Sequence, residues 1–537
     1  MKCRSVPYEK LPYSKLLIDY VRQEKNLSPF YSGHSFSEDS VRQKAADFRF
    51  TGDRNRSYEA LEQFNIKLDA PAETRRRLKQ LKDPNSLALV TGQQVTLYGG
   101  PLYTVYKTVT TLNYASRWEK LLGRPVIPVF WMADEDHDLE EVCQVGIFSD
   151  DNYLKLSCQE LKANGPTGRV VLADRFKNFS DHLLSQLPES DFTSELRERI
   201  DKHYREGRTL REAFGRWMLD LFGSSGLIMA GSDDPAIKRL SSDLLALAAN
   251  RSDELHKSLE EQSSRLEKSG FTRQAMVQRS NLFYLDKEGK RVKISMDGDA
   301  WSAGNGQNWD WNELIDEINS YPERFSPNVF LRPMLQDRLL PTIGYVAGPG
   351  ELAYYGQMRS AYNAMAMEMP LLLPRFSITL MEPAIQRISE KLPFRFEEYA
   401  GRTEDLESQF VDRKEEEDID AIIQSWKERT ENLTDQFSPR VAEIDPTLRA
   451  SADKINAVVS GELDKLRSKI YRSIKKREQI QIRRIHRVKR HLFPDSGLQE
   501  RQISMIHYMN KYGLDVWDRL QELLQDQQPD AHKVVEL

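Results

Sequence analysis

Four short stretches of the chain combine residue types able to bind and transform a small polar ligand. The first is Thr91-Gly92-Gln93-Gln94, followed by Gly99-Gly100-Pro101, with Tyr103 and Lys107 just beyond. Glycines ahead of a helix let backbone N–H groups approach an anion, and the amino end of the helix adds partial positive charge. Neither GxGxxG nor GxxxxGK[ST] occurs here, so the alternative is a tight turn packing a helix on a sheet. Gln93 and Gln94 favour a ligand, because each carries donors and an acceptor where one is expected. The second stretch, Asp134-Glu135-Asp136-His137-Asp138, is denser in titratable groups than a turn needs. Like charges so close raise one another's pKa unless a cation or donor offsets them. His137 among them could act as a general base, orient a substrate or help hold a divalent metal. A solvated acidic helix start is the alternative. Cys143 reads as a buried apolar cysteine, and no metal-ligand set is assigned. The third stretch is Gly231-Ser232-Asp233-Asp234, a further acidic loop. The fourth, Gly348-Pro349-Gly350-Glu351, reads as a second anion-accepting turn, with Tyr345, Tyr354, Tyr355 and Gln357 close in sequence. Arg332, Gln336, Asp337 and Arg338 lie upstream and could equally be surface charges. The basic run from Lys475 to Arg490 reads first as a solvated helix face.

These loops need a scaffold. Residues 86–90 form a short apolar run. A helical stretch covers Leu102–Leu122, stopped by Gly123, and Val126–Met132 is a second apolar run. Two such runs joined by one helix favour parallel pairing, and in parallel sheets ligands sit beyond the carboxyl ends of the strands. Further strands are expected at 227–230, Thr342–Ala347 and 371–373, with a helix over 352–367. The core is therefore α/β, a Rossmann-like parallel sheet over residues 1–383. Residues 152–221 and 252–330 are too long for tight crossovers and read as helical insertions or lids. Residues up to about 82 give no clean strand signal. Beyond Pro383 charged residues dominate, and apolar residues recur in an imperfect heptad, which predicts an antiparallel coiled-coil arm over 384–490. Its turn is expected from Phe437-Ser438-Pro439 to Pro446. The segment 491–537 reads as helical and returning to the core.

The whole chain has 537 residues, with 77 basic against 82 acidic ones and a net charge of -5, which argues against a protein built to coat nucleic acid. Its 3 cysteines form no CxxC pair, so a disulfide framework or cysteine-rich zinc site is not indicated and a reducing cytoplasm fits. No stretch approaches the roughly 18 apolar residues that span a bilayer, so no membrane is expected.

The motifs as a set resemble the cysteine ligase family of bacillithiol biosynthesis, BshC. The likeness is carried by Thr91-Gly92-Gln93-Gln94, Leu97-Tyr98-Gly99-Gly100-Pro101-Leu102-Tyr103-Thr104 with Tyr106-Lys107, and Pro128 to Ala133 with Glu135-Asp136-His137-Asp138. Phe330-Leu331-Arg332-Pro333, Leu335-Gln336-Asp337, Gly348-Pro349-Gly350-Glu351 and Leu498-Gln499-Glu500-Arg501 extend it along most of the chain. The resemblance implies a homodimer and the joining of cysteine to the amino group of glucosaminyl malate. Amide formation from a free carboxylate needs activation, so ATP and magnesium are expected cofactors. On this view Asp136, His137 or Asp138 takes a proton from the amine. Gly92, Gln93, Gln94, Gly99, Gly100, Tyr103, Lys107, Asp134, Glu135, Ser232, Asp233, Gly348, Gly350 and Glu351 bind substrate or nucleotide. Neither an HxGH motif nor a lysine-rich signature loop is present, a departure from class I synthetase-like chemistry. Two rival readings are a metal-dependent hydrolase or transferase, and a non-catalytic metabolite-binding scaffold that recruits a partner enzyme.

Overall fold

The computed structural model describes all residues except 163–164, 298–299 and 415–417, which fall in the two insertions and the arm. Five parallel strands build the central sheet: β1 (Leu87–Gln93), β2 (Val126–Met132), β3 (Ile228–Gly231), β4 (Thr342–Ala347) and β5 (Leu371–Pro374), in the order β5-β4-β1-β2-β3. Almost every residue on them is buried, as continuous apolar runs demand when both faces are covered. Helix α1 (Leu102–Leu122) joins β1 to β2 and ends as its sequence dictates. Gly123 adopts φ 64°, and its N–H closes on Glu119 O at 2.9 Å. Gly344 in the middle of β4 also has a reason, since a Cβ there would lie 2.5 Å from the Trp118 ring of α1.

Several elements differ from expectation. The helix foreseen over 352–367 begins at Pro349 and is broken into α3 (Pro349–Tyr355) and Arg359–Ala364; it follows α2 (Leu331–Leu339), which precedes β4. The second insertion is more than helical. After a helix at Ser252–Lys268 it forms a five-stranded antiparallel sheet from Leu282–Leu285, Arg291–Asp297, Ala300–Ala303, Asn308–Trp309 and Phe325–Pro327. The first insertion opens on a hairpin, Gln144–Ser149 with Asn152–Ser157, ahead of three helices. The amino terminus holds a strand, Lys2–Val6, in a small sheet with His532–Glu536 and Ile378–Met381. Alternation is too weak in KCRSV and HKVVE to reveal strands whose partners lie at the far end of the chain.

The chain divides into two compact units, residues 1–380 with 499–535, and 381–498 with 536–537. In the second, α4 (Ile419–Ile444) and α5 (Arg449–Arg477) pack side by side. The pairs Arg467 with Asp420, Lys427 with Asp464 and Ser438 with Asp453 run in opposite senses along the two helices, which makes the hairpin antiparallel. Val411, Ile419, Ile423, Leu463, Tyr471 and Ile474 form its core. The turn falls at the far end of the expected stretch, since Pro439 sits inside α4 and the chain reverses at Asp445-Pro446. Asp445 caps that turn, accepting from Thr447 N at 2.9 Å, so the break falls where capping chemistry exists and not at the first proline. The segment 491–537, expected to be helical, carries three short helices beyond residue 498, α6 (Gln499–Gln502), α7 (Met505–Tyr512) and α8 (Val516–Leu523), and then the strand His532–Glu536. No helix among the described residues is long and apolar enough to cross a membrane.

Candidate active site

A cleft of about 330 Å³ opens at the carboxyl ends of β1, β4 and β5, where the parallel-sheet rule expects it. One side is Gly92, Gln93 and Gln94, just past the core of β1. The opposite side is Gly348, Gly350 and Glu351 at the start of α3. Tyr103 and Lys107, four residues apart on α1, lie on one helix face and both reach the cleft, as do Arg332 and Gln336 on α2. Gly92 is closely packed, since a Cβ would lie 3.1 Å from Trp131 O and 3.2 Å from Tyr345 Oη.

Lys107 Nζ is buried and holds its place with three bonds: to Glu351 Oε2 at 2.6 Å, Gly92 O at 2.7 Å and Gln93 Oε1 at 3.1 Å. An ammonium has three protons, so every donor is used within the chain. Burial lowers the Lys107 pKa, and Glu351 opposes that shift. Glu351 in turn accepts from Tyr345 Oη at 2.6 Å and from Gly348 N at 2.7 Å. The turn read as anion-accepting therefore already contains its anion, the Glu351 carboxylate. Gln93 donates to Tyr103 Oη at 3.1 Å, and burial pushes the Tyr103 phenol up to about 12, so it stays neutral. Gln94 donates to Asp136 Oδ2 at 2.7 Å.

Of the three residues expected to move a proton, the structure brings only Asp136 to the cleft. His137 is clasped between two backbone carbonyls, Glu135 O at 3.0 Å from Nδ1 and Gly289 O at 3.1 Å from Nε2, which ties the acidic loop to the second insertion. Asp138 is a helix cap, accepting from Glu141 N at 3.0 Å. Gly99 and Gly100 are likewise outside the cleft. Both have positive φ, 80° and 77°, and a Cβ on Gly100 would fall 2.2 Å from Thr96 Oγ1. The start of α1 is covered by the carboxyl-terminal segment, with Leu102 N donating to Ile503 O at 2.9 Å and Met505 N to Gly100 O at 3.3 Å. This is the tight-turn alternative, not an anion cradle.

Asp134, Glu135, Ser232 and Asp233 form a separate buried network at the ends of β2 and β3. Arg169 grips Asp233 with two bonds of 2.6 and 2.7 Å, Arg211 meets Asp134 at 2.9 Å, and Lys238 meets Glu135 at 3.1 Å. Ser232 Oγ and Asp233 N both donate to Asp134 Oδ1 at 2.8 Å. Burial pushes Asp134 up to about 6 even so, with Arg211 opposing. The offsetting cations come from the first insertion and the helix after β3, so the acidic density is a structural junction. Gln357, too, is structural, accepting from the backbone N–H of Gln274 and Ala275 at 3.0 and 2.9 Å.

Other cleft residues escaped the sequence reading. Arg375 immediately follows β5, and Arg501 lies on α6. Arg332 and Arg501 form no ion pair among the described residues, whereas Arg375 is paired with Glu500. Burial penalises the Arg332 charge, but Tyr354, Tyr345 and Glu351 outweigh it and hold its pKa above the ordinary range. Trp131 Nε1 and Tyr355 Oη are buried without a hydrogen-bond partner on residues that line the cleft. Applying the strand-end rule to β5 as well as β1 would have found Arg375. Arg501 comes from the far end of the chain, and only tertiary structure brings it here. The thiols of Cys143 and Cys158 are pushed up to about 12 by burial, which makes both poor nucleophiles at neutral pH.

A Rossmann-like sheet, a polar cleft at its carboxyl edge and a helical hairpin define a two-part α/β protein. Residues 1–376 match the family model described as bacillithiol biosynthesis BshC, N-terminal Rossmann-like domain, and residues 378–537 the one described as its C-terminal coiled-coil domain. The chain belongs to the BshC family of bacillithiol biosynthesis. Relatives that carry the name "Putative cysteine ligase BshC" include one from Salinibacter ruber, 33% identical over 99% of this chain and 98% of its own. Those from Chlorobaculum tepidum, 30% identical over 97% and 99%, and Bacillus licheniformis, 31% over 97% of each chain, are similar. By name these relatives are ligases, as the resemblance read from the motifs implied.

Proposed function

We propose that the chain joins the carboxyl group of cysteine to the amino group of glucosaminyl malate, forming bacillithiol, with ATP activating the carboxylate. The observation that carries this reading is the charge pattern of the cleft. Two unpaired guanidinium groups, Arg332 and Arg501, face a polar cavity that also holds one carboxylate, Asp136, partnered only by neutral N–H donors. A malyl group carries carboxylates that guanidinium groups bind in a planar, two-bond fork. A glucosamine amine must lose a proton as it attacks, and in this reading the Asp136 carboxylate is the base that accepts it. Lys107 was a candidate for neutralising developing phosphate charge, but its bonds are spent, so that role passes to the arginines. Activation replaces a poor leaving oxygen by phosphate or AMP, and magnesium would enter on the nucleotide phosphates.

The reading extends to assembly and compartment. Ile422, Trp426, Leu433, Phe437 and Ile444 follow one another along α4 at spacings of four and seven, and each is between 47% and 85% exposed. Such a stripe has the rhythm of a coiled-coil seam, and a second copy of the chain is the occupant we assign to it. Free thiols at Cys3, Cys143 and Cys158 suit a reducing cytoplasm. The deciding experiment is mass-spectrometric turnover of purified protein with cysteine, glucosaminyl malate and magnesium-ATP. Bacillithiol with AMP supports an adenylate, and bacillithiol with ADP an acyl phosphate. No product from folded protein refutes the activity for the chain acting alone.

A further inference from the structure

We propose that Glu500 is a positioning residue for substrate binding, acting through Arg375. The pair is among the most deeply buried in the molecule, with side-chain exposures of 4% for Arg375 and 0% for Glu500. Arg375 Nη1 donates to Glu500 Oε2 at 3.0 Å and to Phe376 O at 2.8 Å, and Nη2 donates to Glu500 Oε1 at 2.7 Å. Glu500 Oε2 also accepts from Ser377 Oγ at 2.8 Å and from Ile378 N at 3.0 Å, so the carboxylate itself is fixed from four directions. Burial alone would raise its pKa, but Arg375 overrides this and holds it below the ordinary value.

The donor count shows what this fixing leaves. A guanidinium has five N–H bonds. Three are taken, and the Nε–H and one Nη2–H remain on the side of the planar group that a carboxylate or phosphate engages with two parallel bonds. Nε lies 3.7 Å from where a Cβ on the cleft residue Gly348 would stand. The same face is steadied by the Tyr103 ring, whose centroid is 5.7 Å from the guanidinium carbon. Glu500 thus holds one edge of Arg375 and leaves the other for a ligand. Its neighbour Arg501, one residue along α6, adds an unpaired cation to the same cleft. The segment that returns from residue 499 completes the anion end of the site.

The inference rests on the cleft taking an anionic substrate, and its test separates the two claims. L-malate and glucosaminyl malate are titrated calorimetrically into wild type, Glu500→Asp, Glu500→Gln and the double variant Arg375→Met/Glu500→Met, with melting curves for each. Glu500→Gln leaves a buried uncompensated cation and melts well below wild type. The double variant removes both charges and restores stability, so it remains testable if the single one does not fold. The expected result is at least tenfold weaker binding of both ligands by the folded double variant. Glu500→Asp, which keeps the charge but retracts the fork, should raise KM for glucosaminyl malate about tenfold with kcat within twofold. A folded double variant that binds like wild type overturns the inference, as does a wild type that binds neither ligand. If wild type binds malate and the variants lose it while no bacillithiol forms, the proposed activity fails and the role of Glu500 stands.

Discussion

Arg332→Met separates binding from stability most sharply. The guanidinium is half-buried in the cleft, has no acid within ion-pair distance among the described residues, and helps to depress the neighbouring Lys107 ammonium. Folding favours the Arg332 charge only through Tyr354, Tyr345 and Glu351 nearby, and through no ion pair among the described residues. A malyl carboxylate held by two charge-assisted bonds would recover roughly 2–4 kcal/mol, taking charged hydrogen bonds at about 1.5–3 kcal/mol each and discounting for shared desolvation. At about 1.4 kcal/mol per factor of ten, the variant should bind glucosaminyl malate roughly 30- to 1,000-fold more weakly. Methionine keeps the apolar stem and relieves the repulsion of Lys107 but gives up the attraction of Glu351 and the tyrosine hydroxyls, so the melting temperature should fall by no more than a few degrees. Calorimetric titration beside a thermal melt reads both quantities. Wild-type affinity with a melting temperature several degrees lower would refute the argument, because Arg332 would then be a structural cation.

Asp136→Asn should lower kcat/KM roughly 100- to 10,000-fold with little change in melting, whereas His137→Ala, which loosens a loop clasp, should cost far less activity; steady-state kinetics on the two variants decides between them. Gly100→Ala forces a side chain into a positive φ and against Thr96, so a fall in soluble, folded yield is expected, with an unchanged KM in what does fold. Asp337 is buried beneath the cleft, where Tyr362 Oη donates to it at 2.6 Å, and burial pushes its pKa up to about 7 from 3.8. Between those values the native state keeps a proton that the unfolded state has shed, so this group's contribution falls as pH rises from about 4 to 7, by on the order of 4 kcal/mol, and is flat above. Asp337→Asn should remove that slope, which melting curves from pH 5 to 8 would reveal. Trp426→Glu with Leu433→Glu should turn a dimer into a monomer by light scattering, and a wild-type monomer refutes the proposed seam.

The central scaffold was legible because its signals are local. Leu102–Leu122, Val126–Met132 and Thr342–Ala347 coincide with the sequence reading since each is a continuous apolar run or helix bounded by glycine or proline. The strands at Lys2–Val6 and His532–Glu536 were not, because their order comes from one another across the whole chain. The candidate site divides in the same way. Gly92, Gln93, Gln94, Asp136, Gly348, Gly350 and Glu351 share one cleft because they follow strand ends, and Tyr103 and Lys107 join them from one face of α1. Chemical density misled in the acidic loop, since the sequence displays the acids together but hides Arg169, Arg211 and Lys238, which neutralise them from other elements. Glycine misled at Gly99-Gly100 for a related reason: backbone freedom serves a tight turn as readily as an anion, and the covering segment lies some 400 residues downstream.

The cations of the cleft fall into two kinds, and the difference assigns their work. Lys107 and Arg375 are deeply buried, each against one carboxylate, Glu351 or Glu500. Burying such a charge unpaired is costly, so these pairs act as fixed walls whose geometry a ligand finds ready. Arg332 and Arg501 lack a carboxylate partner among the described residues: Arg501 is exposed, and Arg332 is steadied by Tyr354, Tyr345 and Glu351, so both charges stand ready for an anion. Preorganised walls with unpaired groups at the point of contact are what tight, orienting recognition of an anion requires. The arginines keep their charge throughout the physiological range, so anion binding should be insensitive to pH between 6 and 8. Any pH dependence of turnover across that interval must then arise from the substrate amine or from the carboxyls that burial raises towards it, Asp134 and Asp337. Affinity for glucosaminyl malate that stays constant while kcat changes is the pattern this division of labour demands; affinity that tracks kcat would place a titrating group in the anion site and remove the basis for the assignment.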